Sequence, residues 1–224
     1  MQAPPTKPVK TAPAPVRATT SDWSNWWEVP ARRNLVIAGV SALVILGAGA
    51  WFWKSSADRK EAFASRAVQQ ARAAAEQGNL PLAASELQKI TQTYAGTRSA
   101  VEAMLVLNQV RMVNGQTELA VVGLKEFIAK NPPVEYLVPA NGLLGVALEN
   151  TNKPLEAAAA YEKAAAGAQV DYLKADYLLQ AARAYKNGGK PDEAVKAYQK
   201  IVKDYAKTPA LNEAEVRLAE LMTK

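Results

Sequence analysis

The 224-residue chain contains no cysteine and no histidine. Without cysteine there is no disulfide framework, no thiolate metal site, no iron–sulfur cluster and no thiol nucleophile. Without histidine the commonest general base and the commonest metal ligand are both missing. Those two absences set aside most enzyme classes before any motif is read. They fix no compartment, because a cysteine-free protein is at home on either side of a membrane. Phenylalanine and glycine are sparse, at 3 and 12 residues, against 44 alanines. That bias favours close-packed helices over sheet. The formal charge of +6 is split between two regions. Residues 1–33 hold five Lys/Arg and two acids, and residues 54–224 hold 22 and 19, mixed along the chain. Nucleic-acid binding would ask for a basic stripe with interleaved aromatics, which is absent. No nucleic-acid partner is expected.

Acids and aromatics are also missing from the first twenty residues, where Pro4, Pro5, Pro8, Pro13 and Pro15 stand among three basic side chains. Such a segment cannot bury enough apolar surface to offset its ordering entropy. Residues 1–22 therefore read as a disordered basic tail, either a flexible tether or an arm that binds a partner. Charge is then absent from Asn34 to Trp53, a run of 20 residues. As a helix it spans about 30 Å, the thickness of a bilayer's hydrocarbon core. Arg32 and Arg33 bound it on one side and Lys54 on the other. All five tryptophans flank it, Trp23, Trp26 and Trp27 before and Trp51 and Trp53 after, as an aromatic belt would. The expectation is an interfacial segment over 23–33 and one uncleaved transmembrane helix over 34–53, with the lipid bilayer as its surroundings. A short basic tail before a single span is the usual arrangement of a signal anchor, which puts the N-terminus inside and residues 54–224 outside.

Residues 54–224 repeat with a period of 37. Gly78, Gly115, Asn152 and Gly189 stand at equal intervals. Five residues after each comes Ala83, Ala120, Ala157 or Ala194; four further on comes Leu87, Leu124, Tyr161 or Tyr198. Ile90, Phe127, Ala164 and Ile201 make a fourth column three residues later. The Gly or Asn supplies the left-handed conformation that stops one helix and starts a tight turn. Pro81, Pro154 and Pro191 follow, where the first turn of the next helix tolerates proline. The small Ala fits a close approach of two helices, and the larger residues continue one apolar face. Each unit is thus a helix–turn–helix, stacked into an all-α solenoid of about four copies with a closing helix from Leu211 to Met222. The three residues by which each copy exceeds 34 are expected to lengthen the links between copies.

These columns resemble the tetratricopeptide repeat. The last copy fits best, with Ala182, Tyr185, Ala194, Tyr198 and Ile201, and the third fits with Gly145, Leu148, Ala157, Tyr161 and Ala164. The first two copies depart at the aromatic positions. A short tail, one span and divergent repeats close to the membrane together look like the bacterial membrane-anchored ancillary translocon-subunit family. That resemblance implies a repeat domain outside the bacterial inner membrane, a link with the translocon, and chaperoning of secreted proteins.

No other chemistry is legible. Acids sit beside basic residues at helical spacing, as in Asp192–Lys196 and Glu213–Arg217, which suits a solvated face. Gly47-Ala48-Gly49 lies inside the span and lacks the continuation of a phosphate loop. There is no S-x-x-K. Catalysis, cofactor and metal are not expected. A binding surface remains. In tetratricopeptide solenoids the concave face is lined by the first helix of each copy, and the resemblance maps it onto Arg72, Glu102, Gln109, Met112, Asp176, Leu179, Arg183 and Lys186. Arg72, Gln109, Val146 and Arg183 form one column at the repeat spacing. The partners implied are other proteins, held by the repeats and by the proline-rich tail. Two roles stay open: an adaptor at a translocon or in envelope assembly, and a structural accessory subunit of a large respiratory or photosynthetic membrane complex.

Overall fold

The computed structural model describes residues 30–223. The readings for residues 1–22 and for Trp23, Trp26 and Trp27 lie outside them. The described residues form nine α-helices and no strand: α1 (Pro30–Glu76), α2 (Leu80–Thr93), α3 (Arg98–Val113), α4 (Thr117–Ala129), α5 (Val134–Asn150), α6 (Pro154–Gly167), α7 (Asp171–Asn187), α8 (Pro191–Asp204) and α9 (Ala210–Met222). They fall into two compact units that part between Lys54 and Ser55.

In the first unit α1 carries the apolar run. Its side chains are left uncovered, Leu43 at 71% and Trp53 at 79% exposure among them. Arg32, Arg33, Trp51 and Lys54 are exposed as well. The helix is long and apolar enough to cross a membrane.

The second unit is the solenoid that the period implies. The end of α1 pairs with α2, α3 with α4, α5 with α6 and α7 with α8, each pair joined by a three-residue turn. All four turns are built alike. Gly78, Gly115, Asn152 and Gly189 have φ of 83°, 76°, 56° and 71°. Each donates its amide three residues back, and the next residue donates five residues back: Gly78 to Ala75 O and Asn79 to Ala74 O, both at 2.9 Å, in the first. In the third, Asn152 and Lys153 donate to Glu149 O and Leu148 O at 2.9 and 2.8 Å. These two bonds satisfy carbonyls that the end of a helix otherwise orphans.

The buried columns match the sequence periodicity. Ala83, Ala120, Ala157 and Ala194 are wholly buried, and so are Leu87, Leu124 and Tyr198. Ala64, Val68 and Ala71 of α1, at helical spacing, are buried too, and the last two join Leu87, Ile90 and Leu107 in the first core cluster. Leu124, Phe127, Leu148 and Tyr161 centre the second. Leu178, Leu179, Tyr198 and Ile201, closed by Ala214 of α9, form the third.

The surplus over 34 residues is not placed where the sequence suggests. The links between copies run three to five residues, whereas α3, α5 and α7 have 16, 17 and 17 residues against 13 or 14 for α4, α6 and α8. The extra turn fraction belongs to the first helix of each copy, the helix that lines the groove.

One tie within the second unit had no signal in the repeat pattern. Glu61 of α1 receives the amides of Arg98 and Ser99 at 2.8 and 2.9 Å and the Ser99 hydroxyl at 2.6 Å. A carboxylate thereby covers the first turn of α3, beside the Thr97 cap that accepts from the Ala100 amide at 3.1 Å.

Candidate partner-binding groove

A groove of about 530 Å³ runs along the first helices of the copies. Arg72 comes from α1; Glu102, Leu105, Val106 and Gln109 from α3; Pro139, Gly142, Leu143, Val146 and Glu149 from α5; Asp176, Tyr177 and Gln180 from α7. Tyr161 of α6 is the single lining residue from a second helix.

Four of the expected residues, Arg72, Glu102, Gln109 and Asp176, line this groove. The other four stand differently. Arg183 and Lys186 lie further along α7 and are tied to α9, Arg183 to Glu213 at 2.5 Å and Lys186 to Glu220 at 3.5 Å. Leu179 is a core side chain, 5% exposed, in the cluster that α9 closes. Met112 is half-buried against the central cluster. For the three α7 residues the reason is the closing helix, which packs on α7 as well as on α8.

The groove's electrostatics come in two parts. Arg72 and Glu102 form an ion pair at its α1–α3 end. In the middle stand two more carboxylates, Glu149 and Asp176, which take part in none of the ion pairs among the described residues. The Tyr161 hydroxyl donates to Glu149 Oε2 at 2.7 Å. Burial, and then this bond, push the Tyr161 phenol well above its ordinary range. Burial also raises Tyr177, with the Asp176 charge adding to it. Both phenols thus stay protonated at neutral pH. Beyond the groove, the hydrogen bond from Arg183 holds the Glu213 carboxyl below its usual value.

Tyr161 was legible in the sequence as a core residue but not as part of the groove. Its ring lies against Gly145, where an added Cβ would meet the ring. Glu149, Leu143 and Gln180 stand three or four residues from expected positions on the same helix faces, and that spacing could have found them. Among the described residues no group of three potential metal-ligating side chains is assembled. The groove offers two carboxylates, one ion pair, apolar walls and one fixed hydroxyl, that of Tyr161.

Residues 176–208 match the tetratricopeptide repeat family. The match falls on the copy whose columns fit that repeat best. No curated protein matches the chain. Among solved structures, the nearly identical TPR-like repeats of a kinesin light chain-like protein from Podosopora anserina superpose with a TM-score of 0.58. The identity is 21%, over 71% of this chain and 87% of that one. A variant of those repeats with a single substitution gives the same TM-score at 22% identity. The MamA protein superposes with a TM-score of 0.52 at 21% identity, over 71% of this chain and 86% of that one. The second unit of the chain has the tetratricopeptide-like solenoid fold.

Proposed function

We propose that this chain is a membrane-anchored, non-catalytic scaffold that holds a partner protein in the groove of its repeats. The observation that carries the reading is the groove itself, lined by first helices and carrying two carboxylates that enter no ion pair among the described residues. Tetratricopeptide solenoids are interaction scaffolds and are generally non-catalytic, which fits a chain without His or Cys. The uncovered apolar stretch of α1 supports a single span over residues 34–53, with Trp51, Trp53, Arg32, Arg33 and Lys54 as interface anchors. The resemblance in layout supports a place in the bacterial inner membrane, with the N-terminus inside and the repeats outside, serving a translocon or envelope assembly. Lipid and partner proteins are then its only associates, and residues 1–22 offer a second arm.

The N-terminal region favours a second reading. Five prolines before residue 20 and three tryptophans after it exceed what a simple anchor needs, and they suit a fixed accessory subunit of a large membrane complex. Affinity purification of the full chain in mild detergent separates the two. Recovery of translocon components and varied client proteins supports the adaptor. Co-purification with one complex at fixed stoichiometry supports the subunit and overturns the adaptor. Protease treatment of spheroplasts tests the orientation: digestion of residues 54–224 is expected, and their protection reverses the topology.

A further inference from the structure

The ion pairs along the first helices follow a rule with a gap in it. Arg72 of α1 pairs with Glu102 of α3, thirty residues on. Arg183 of α7 pairs with Glu213 of α9, also thirty residues on. These are equivalent positions, because 72 and 183 differ by three repeats of 37, as do 102 and 213. Each pair clamps one first helix to the next. At the two middle steps the equivalent residues are Gln109 with Pro139, and Val146 with Asp176. The first of these lacks both charges. The second lacks only the cation.

Asp176 therefore stands where a clamp would have its acid, facing a position where Val146 replaces the arginine. Val146 is 41% exposed in the groove. One turn further along α5 is Glu149, whose Oε2 is engaged by the Tyr161 hydroxyl. Neither acid enters an ion pair among the described residues. The neighbouring cations are committed: Arg72 to Glu102, Arg183 to Glu213 and Lys186 to Glu220. Around the gap lie Leu143, Val146 and the half-buried ring of Tyr177.

We infer that the partner supplies the missing cation: the groove receives a polypeptide segment whose Lys or Arg side chain enters between Val146 and Asp176, with apolar residues beside it. The inference rests on the scaffold reading above and names the chemistry of what the scaffold holds. Charge complementarity selects the cation, since two carboxylates in a half-enclosed groove favour a positive group and repel a negative one. The Tyr177 ring adds an aromatic surface on which a guanidinium can stack. The apolar wall explains why the occupant is a polypeptide and not a bare polyamine. An amine alone would leave Leu143 and Val146 uncovered, whereas an apolar neighbour in the segment covers them.

The test uses the full chain in mild detergent and a phage-displayed library of random dodecapeptides. Selected peptides are expected to share a Lys or Arg next to an apolar residue. V146R places a cation in the gap from within, completing the clamp as in the outer copies. It is expected to fold and to lose these peptides. D176N keeps the shape and removes the charge, and it is expected to weaken binding about five- to tenfold, with a loss also on raising salt. V146W fills the groove without charge and is expected to exclude the peptides too. Peptides that are acidic or purely apolar, lost with V146W but indifferent to D176N, overturn the cation inference and leave the groove as the docking site. Peptides that bind V146R and V146W as well as the wild type, or a library that yields no binder, overturn both.

Discussion

Gly145 and Tyr161 show how a residue without a side chain makes room for a hydrogen-bonded ring. In the third copy the ring lies against the bare backbone of Gly145, and its hydroxyl reaches Glu149 at 2.7 Å. In the fourth copy Ala182 stands at the place of Gly145, Tyr198 at that of Tyr161, and Lys186 at that of Glu149. There no carboxylate stands at the acceptor's place, and the Tyr198 hydroxyl is buried without a partner. In the third copy an added Cβ would meet the ring, so Gly145→Ala should push the Tyr161 ring away and weaken its bond to Glu149. Helix propensity alone would favour the substitution by about 1 kcal/mol. Overpacking of about 1–3 kcal/mol and the weakened charged hydrogen bond oppose it, so the net expectation is a loss of about 1–2 kcal/mol in denaturant unfolding. In a Tyr161→Phe background, where that bond is already gone, the cost of Gly145→Ala should shrink. An unchanged cost would place the whole effect in the overpacking of the ring against the added methyl group.

Glu61 is the other residue whose role is set by one contact group. Partial burial alone would raise its carboxyl, but the Ser99 hydroxyl and the amides of Ser99 and Arg98 outweigh it and hold the group below its ordinary value. A carboxyl lowered on folding adds stability above its unfolded pKa, and that contribution disappears as pH falls through the folded value. Glu61→Gln should thus cost about 1 kcal/mol at pH 7, the scale of a lost helix cap. The gap between the two proteins should close below about pH 4. Thermal melts of both at pH 7 and below about pH 4 check it, and a gap that persists in acid would assign the loss to packing.

At the scale of the element, the turn inside each copy is the unit that the sequence states most clearly. Three glycines and one asparagine occupy the left-handed position, and all four turns use the same pair of hydrogen bonds. Asparagine tolerates that conformation better than most residues, but glycine has no Cβ to strain it. Asn152→Gly should be neutral or slightly stabilising, while Asn152→Ala should cost about 1 kcal/mol in chemical denaturation. Equal effects of the two would show that the Asn152 side chain, and not its backbone, makes the turn.

These turns explain why so much of the fold was legible. The period, the left-handed stop and the buried alanine are local demands, each met by one residue type. The groove was harder to read for a physical reason. Which side chains meet across it depends on how successive first helices lie against each other, and no period within one copy encodes that. Position alone puts Leu179 and Lys186 on the open face, yet Leu179 is a core side chain in the cluster that α9 closes and Lys186 pairs with Glu220 of α9. Glu61 carries no signal within one copy, because its partners Arg98 and Ser99 belong to the next.

At the scale of the whole repeat unit, three core clusters follow one another along the chain and share few members. A solenoid built this way is close to one-dimensional: each copy is held by its neighbours, and loosening should begin where support is removed and spread inward. The closing helix covers the last copy with Ala214, Leu218 and Leu221. Leu218→Ser and Leu221→Ser should each cost about 1 kcal/mol, less than full burial of a leucine because both are only partly covered. The pattern matters more than the size. Amide hydrogen exchange should quicken in α9 and α8 and hardly change in α2 and α3, whose support comes from α1 through Val68, Ala71 and the Glu61 tie. The same variants should leave the binding of groove peptides weakened only as far as α7 loosens, since the cation gap lies between α5 and α7. Equal acceleration in every helix would mean that residues 55–224 open as one block, and the copies would then be coupled far more tightly than their separate cores imply.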